Sequence, residues 1–96
     1  MEKQRILFLD LEQTIIDVWQ DANIIQVQVP FIKEVIQKFK PEHIGIFSFA
    51  IDNESDKEHF RNRMQDENEM AIGMKITWKH IMSTSEMIKL IKKLNH

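Results

Sequence analysis

The chain has 96 residues, of which 43% are hydrophobic and 29% charged, with a net charge of -2. That composition is right for one globular domain and leaves no room for a second core. It excludes disulfide stapling and cysteine-based zinc sites, because there is no cysteine, and the near-neutral charge gives no electrostatic footprint for nucleic acid. Nothing resembles a signal peptide or a membrane span, so the expected compartment is cytoplasmic.

Arg5 to Asp10 opens the chain with a continuous apolar run, Ile6-Leu7-Phe8-Leu9. A short run of this kind predicts a strand buried on both faces of a parallel sheet. Thr14–Trp19 predicts a helical turn or the start of a hairpin. Ile24–Val29 alternates apolar and amide residues and predicts a half-buried flap strand ended by Pro30. The spacing of Phe31, Ile32, Val35, Ile36 and Phe39 predicts an amphipathic helix stopped before Pro41.

Ile44–Ile51 is the second apolar run and predicts a second buried strand, with Ser48 as its notable polar side chain. The cluster Asp52, Asn53, Glu54 and Ser55 predicts a helix cap. A charge-rich, solvated helix follows over 54–70. Ile72, Met74, Ile76 and Trp78 alternate with polar residues and predict a third strand nearer an edge. Ser83-Thr84-Ser85-Glu86 is a capping sequence for a last helix with the stripe Met87, Leu90, Ile91 and Leu94. The expected architecture is therefore α/β, a short parallel sheet of about three strands plus a flap strand, flanked by helices and joined by right-handed crossovers.

Ligands in open α/β sheets sit beyond the carboxyl ends of the strands, which is where Asp10, Glu12 and Thr14 fall. The stretch RILFLDLEQTIID resembles the first motif of the haloacid dehalogenase (HAD) superfamily, hhhhDxDx[TV]. The resemblance implies a Rossmann-like three-layer core, in a minimal form almost without a cap. It also implies a Mg2+-dependent phosphohydrolase. Asp10 would be the nucleophile that becomes an aspartyl phosphate, Glu12 the acid/base, and Thr14 the hydroxyl securing the loop. Ser48, ending the second strand, would donate to a phosphate oxygen, although a lone serine there also suits a small core residue bonding its own backbone. Lys79 is the nearest match to the motif lysine, with Lys75 second. Asp10 and Glu12 are the expected Mg2+ ligands.

Two features depart from the family pattern. Position 12 is Glu where the family has Asp, and the added methylene moves the carboxyl by an ångström or more. The acids of the family's fourth motif have no counterpart in the 96 residues, which reads as a truncated HAD-like domain with an open edge at its first strand. Either Ile24–Val29 or a second copy of the chain is expected to cover that edge. A catalytically degenerate HAD-like binding or regulatory module is the alternative function. The expected partner is a phosphorylated small molecule or macromolecule, with no membrane. Lys89, Lys92 and Lys93 read as a solubilising helix face rather than a nucleic-acid surface. The histidines at 43, 59, 80 and 96 lack metal-ligand spacing, and Trp19 and Trp78 suit core or flap packing.

Overall fold

Three parallel strands, β1 (Ile6–Asp10), β2 (His43–Ser48) and β3 (Ile76–Ser83), stand side by side in the order β1-β2-β3 in the computed structural model, which describes residues 4–95. Four helices accompany them: α1 (Val29–Phe39), α2 (Glu54–Arg63), α3 (Gln65–Ile72) and α4 (Thr84–Leu94). The α/β class and the alternation of strand and helix agree with the sequence expectation.

Register assigns the two faces of the sheet. Leu7 pairs with Ile44 and Leu9 with Ile46, while Ile6, Phe8 and Asp10 pair with His43, Gly45 and Phe47. Leu7, Leu9, Ile44, Ile46, Ile76 and Ile81 join one core with Ile32 of α1, Phe60 of α2 and Ile72 of α3. The two crossovers step in the same direction along the sheet, and α1, α2 and α3 all pack on this one core, as right-handed crossovers require. Across that core, β1 is only half-buried, so the expectation of a strand buried on both faces fails. It is an edge strand, and β2 is the central one.

Ile76 and Ile81 are five positions apart, an odd spacing that puts residues of a regular strand on opposite faces. An irregularity in the pairing with Ile44 and Ile46 returns Ile81 to the core side. The other face carries Phe8, whose ring lies over Gly45. A Cβ at Gly45 would come within 2.4 Å of Phe8 Cδ1 and 2.9 Å of the His80 carbonyl oxygen. Glycine is required here by close approach rather than by backbone angle.

Several expected boundaries move. Ile24–Val29 is not a strand: Gln26–Gln28 form a 3-10 turn and α1 already begins at Val29. Alternation is a poor guide there because among the described residues only Ile24 finds a bridge, to Ile16, while Pro30 sits comfortably in the first turn of α1. Of the predicted α1 stripe only Ile32 is buried, and Phe31 is 67% exposed. β2 ends at Ser48, with Phe49–Ile51 turning away.

The predicted single helix over 54–70 is two helices, broken at Met64 (φ -129°). The buried Asn68 amide mends that break by donating to the Met64 carbonyl at 2.9 Å. α3 then runs on to Ile72 and stops at Gly73 (φ 79°), a left-handed cap. The third strand therefore starts at Ile76 rather than Ile72. Its first residue is held to α3, the Ile76 N–H donating to Glu69 Oε2 (2.7 Å) and its carbonyl accepting from Gln65 Nε2 (2.9 Å). α4 starts where expected, with a complete capping box between Ser83 and Glu86. No described helix is long and apolar enough to cross a membrane.

Candidate functional site

The carboxyl end of β1 passes directly into a loop nailed to the core. The Leu11 N–H continues the ladder by donating to the Phe47 carbonyl at 3.1 Å, and the Leu11 side chain is fully buried. The Leu11 carbonyl then accepts from the N–H groups of Thr14, Ile15 and Ile16 at 3.4, 3.0 and 3.1 Å. Such a tight reversal needs one left-handed residue, and Gln13 takes it with φ 63°. Ile15 and Ile16 are fully buried, which anchors the far side of the turn.

Asp17 closes the next bend. Its carboxylate accepts from the N–H groups of Val18 and Asn23 and from the Asn23 amide. These hydrogen bonds, led by that from Val18, hold its carboxyl below the usual range. The result is a rigid loop between Asp10 and α1.

Within this frame the structure brings Glu12 and Ser48 together, while Asp10, coupled to Glu12 electrostatically, points to the other face of the sheet. Asp10 ends β1 with an exposed side chain, on the sheet face opposite the helix-packed core. Glu12 is half-buried: its Oε2 accepts the Trp19 main-chain N–H at 2.9 Å, and the Ser48 hydroxyl approaches its Oε1 at 3.5 Å. Ser48 is itself buried and its Oγ accepts the Ala50 N–H at 3.0 Å. Ser48 thus both bonds its own backbone and faces Glu12. Thr14 is held to the loop through its main chain.

Lys79 and Lys75 do not join this cluster. Lys79 is exposed on β3, four residues before Ser83, which pairs with Ser48. It lies back from the strand end, in the irregular stretch of pairing opposite Ile44–Ile46. Lys75 precedes β3 and pairs with Glu69 at 3.8 Å.

The electrostatics at Asp10 follow from this placement. Burial against its surroundings pushes its carboxyl above the usual range and Glu12 adds to that, while the Leu11 N–H opposes it. Among the described residues no cationic side chain enters the balance. A lone carboxylate with a raised pKa beside a second acid is a common signature of a functional position. Among the described residues no three acidic, histidine or cysteine side chains converge on one point. Mg2+ needs fewer protein ligands than that, since it is usually held by one or two carboxylates plus waters and substrate phosphate. Asp10 fits that minimal role.

Three features near the sheet ends were not foreseen from sequence. The Trp19 ring stacks obliquely on His59 of α2, at 5.3 Å between centroids, and so pins the Glu12 partner in place. Lys57 of α2 bridges Glu54 and Glu86 at 3.6 and 3.1 Å, joining α2 to the start of α4. Phe49, next after Ser48, is 87% exposed and lines a crevice of ≈ 180 Å³ with Ile51, Asp52, Ser83, Thr84, Ser85 and Ile88. No sequence period marks a main-chain donor or a through-space stack, so only the fold could reveal these. Comparison with protein-family models, with curated proteins and with solved structures gives no match for this chain.

Proposed function

We propose that the chain is a HAD-like phosphohydrolase-type domain, its sheet belonging to a Rossmann-like three-layer core and its site opening at the carboxyl ends of β1 and β2. The observation that carries this reading is the approach of Ser48 to Glu12 at the carboxyl ends of β1 and β2, with the exposed Asp10 carboxylate two residues before Glu12 and electrostatically coupled to it. Asp10 is the exposed carboxylate, free to attack a phosphate ester. Its Oδ forms the new P–O bond as the ester P–O bond breaks, and a proton from the Glu12 carboxyl passes to the departing alkoxide. Water then attacks phosphorus, Glu12 takes the water proton, and the bond to Asp10 breaks to release inorganic phosphate. The buried Ser48 hydroxyl, turned towards Glu12, acts through that acid by positioning its carboxyl. Asp10 would hold Mg2+, which would supply neutralising charge for the transferring group. The open, nearly capless sheet end suits a bulky phosphorylated substrate.

A second reading is a binding or regulatory module on the same fold. The Trp19 N–H on Glu12 favours it, since it holds the acid/base in a structural position, as does the lack of a cation near Asp10 among the described residues.

A magnesium titration followed by NMR on the Asp10–Thr14 amides, with Asp10→Asn beside wild type, tests cation binding. A phosphatase assay on aryl and alkyl phosphates tests turnover. Saturable shifts and Mg2+-dependent hydrolysis, both lost in Asp10→Asn, support the phosphohydrolase. Hydrolysis unchanged in Asp10→Asn rejects it. Absence of both signals leaves the binding module.

A further inference from the structure

The outer edge of β1 is unpaired among the described residues. Arg5 O accepts from the His43 N–H and the Leu11 N–H donates to Phe47 O, so odd-numbered residues turn their backbone groups towards β2. The N–H and C=O groups of Ile6, Phe8 and Asp10 therefore point away from the sheet. Ile24, the flap residue expected to cover this edge, instead bridges to Ile16. The edge carries none of the usual protections, for β1 holds no proline, no lysine and no bulge.

We infer that β1 pairs antiparallel with β1 of a second copy of this chain, across a two-fold axis at Phe8, making one continuous six-stranded sheet. Three observations select this occupant and this direction. The strand is basic before its start, at Arg5, and acidic at its end, at Asp10 with Glu12 just beyond. Parallel self-pairing would set like charges side by side, whereas antiparallel pairing sets Arg5 of one copy near the acidic end of the other. The middle of the strand is also self-complementary, because a centre at Phe8 faces Leu7 with Leu9 and Phe8 with itself. Finally, this register pairs all three outward residues, Ile6 with Asp10 and Phe8 with Phe8, and any shift leaves some unmatched. A two-fold contact closes on itself, so the edge is consumed without filament growth.

This pairing stands independently of the phosphohydrolase reading, although it would carry a basic residue from the second copy towards each Asp10. Arg5 is not idle in one copy, since its guanidinium lies 4.7 Å above the Phe39 ring. It is nevertheless exposed and available at the edge.

Sedimentation equilibrium on the whole chain, over a micromolar to submillimolar series, tests the pairing, with hydrogen exchange on the same samples. The expected result is a monomer–dimer equilibrium in which the amides of Ile6, Phe8 and Asp10 slow with concentration while those of Leu7 and Leu9 stay constant. Ile6→Pro removes an outward donor without touching the β2 ladder, and weakens dimerisation by roughly tenfold or more. Arg5→Glu weakens it too, and Arg5→Glu combined with Asp10→Lys restores it; this pair decides the matter should Ile6→Pro fail to fold by circular dichroism. A chain that stays monomeric throughout overturns the inference. So does concentration-independent protection of the three amides, which would mean that another segment covers the edge. Failure of the charge reversal to restore dimerisation overturns the antiparallel register.

Discussion

Glu12 holds the main-chain N–H of Trp19 at 2.9 Å through its Oε2, seven residues along the same loop. The extra methylene of glutamate has a structural use here. An aspartate at this position would fall short of Trp19, and the loop between Asp10 and α1 would lose one of its ties. Position 12 therefore separates two demands, a carboxyl placed for chemistry and a carboxyl placed to hold the loop.

Glu12→Asp should separate them experimentally. The loss of one part-buried, charge-assisted hydrogen bond should cost about 1–3 kcal/mol, read as a lower thermal midpoint. If the site is a phosphohydrolase, restoring the shorter acid should raise turnover on phosphate esters, by as much as about a hundredfold. A stability loss with no gain in turnover would favour the binding module.

Asp10→Asn should stabilise the fold at neutral pH. The Asp10 carboxyl is raised above its usual 3.8 in the folded chain, first by burial and then by Glu12. The folded state therefore holds this proton more tightly than the unfolded one, and wild type loses stability as pH rises from 3.8 through the folded value. The advantage of the variant should be complete above that window and vanish below it. Urea unfolding at a series of pH values measures this, and a variant less stable than wild type at neutral pH would contradict the assignment.

Gly45→Ala should cost about 1–3 kcal/mol, because the added methyl meets the Phe8 ring on one side and the His80 carbonyl on the other. Replacing Phe8 by leucine in the same chain should recover part of that loss, since the ring is the movable obstacle. Equal denaturation midpoints for Gly45→Ala and wild type would show that Phe8 does not lie over Gly45.

Ser83→Ala should lower stability by about 1 kcal/mol through loss of the α4 cap. Its partner Glu86 has a pH signature. The Ser83 N–H first, with Lys57 assisting, holds its carboxyl below the usual 4.5. That contribution is fully present above 4.5 and is lost as pH falls through the lower folded value. Glu86→Gln should therefore be less stable than wild type at neutral pH, with the gap closing in acid. A gap that persists at low pH would remove Glu86 from the cap.

Local signals in the chain were enough for the α/β alternation, the strands at Ile6 and Ile44, the start of α4 at Ser83-Thr84-Ser85-Glu86, and the placing of Asp10, Glu12 and Ser48 at strand ends. Each rests on neighbours in sequence: an apolar run, a capping pattern, an acid just past a strand. The misread elements depend on distant partners. Ile72 reads as strand by alternation but belongs to α3, because Glu69 and Gln65 capture Ile76 and set where β3 begins. Ile24–Val29 reads as a flap strand but among the described residues only Ile24 makes a bridge, to Ile16, and the helix at Val29 takes its end. Lys79 falls outside the site because β3 pairs with the end of β2 only from Ile81 on, and Lys79 lies in the irregular stretch before it. The sequence by itself determined which groups could do chemistry and on which strand ends they stand. Only the tertiary structure decided that Glu12 is bound to Trp19 and that, among the described residues, Asp10 meets no cation and the outer edge of β1 is left unpaired. Those are relations between segments far apart in the chain, and no local period encodes them.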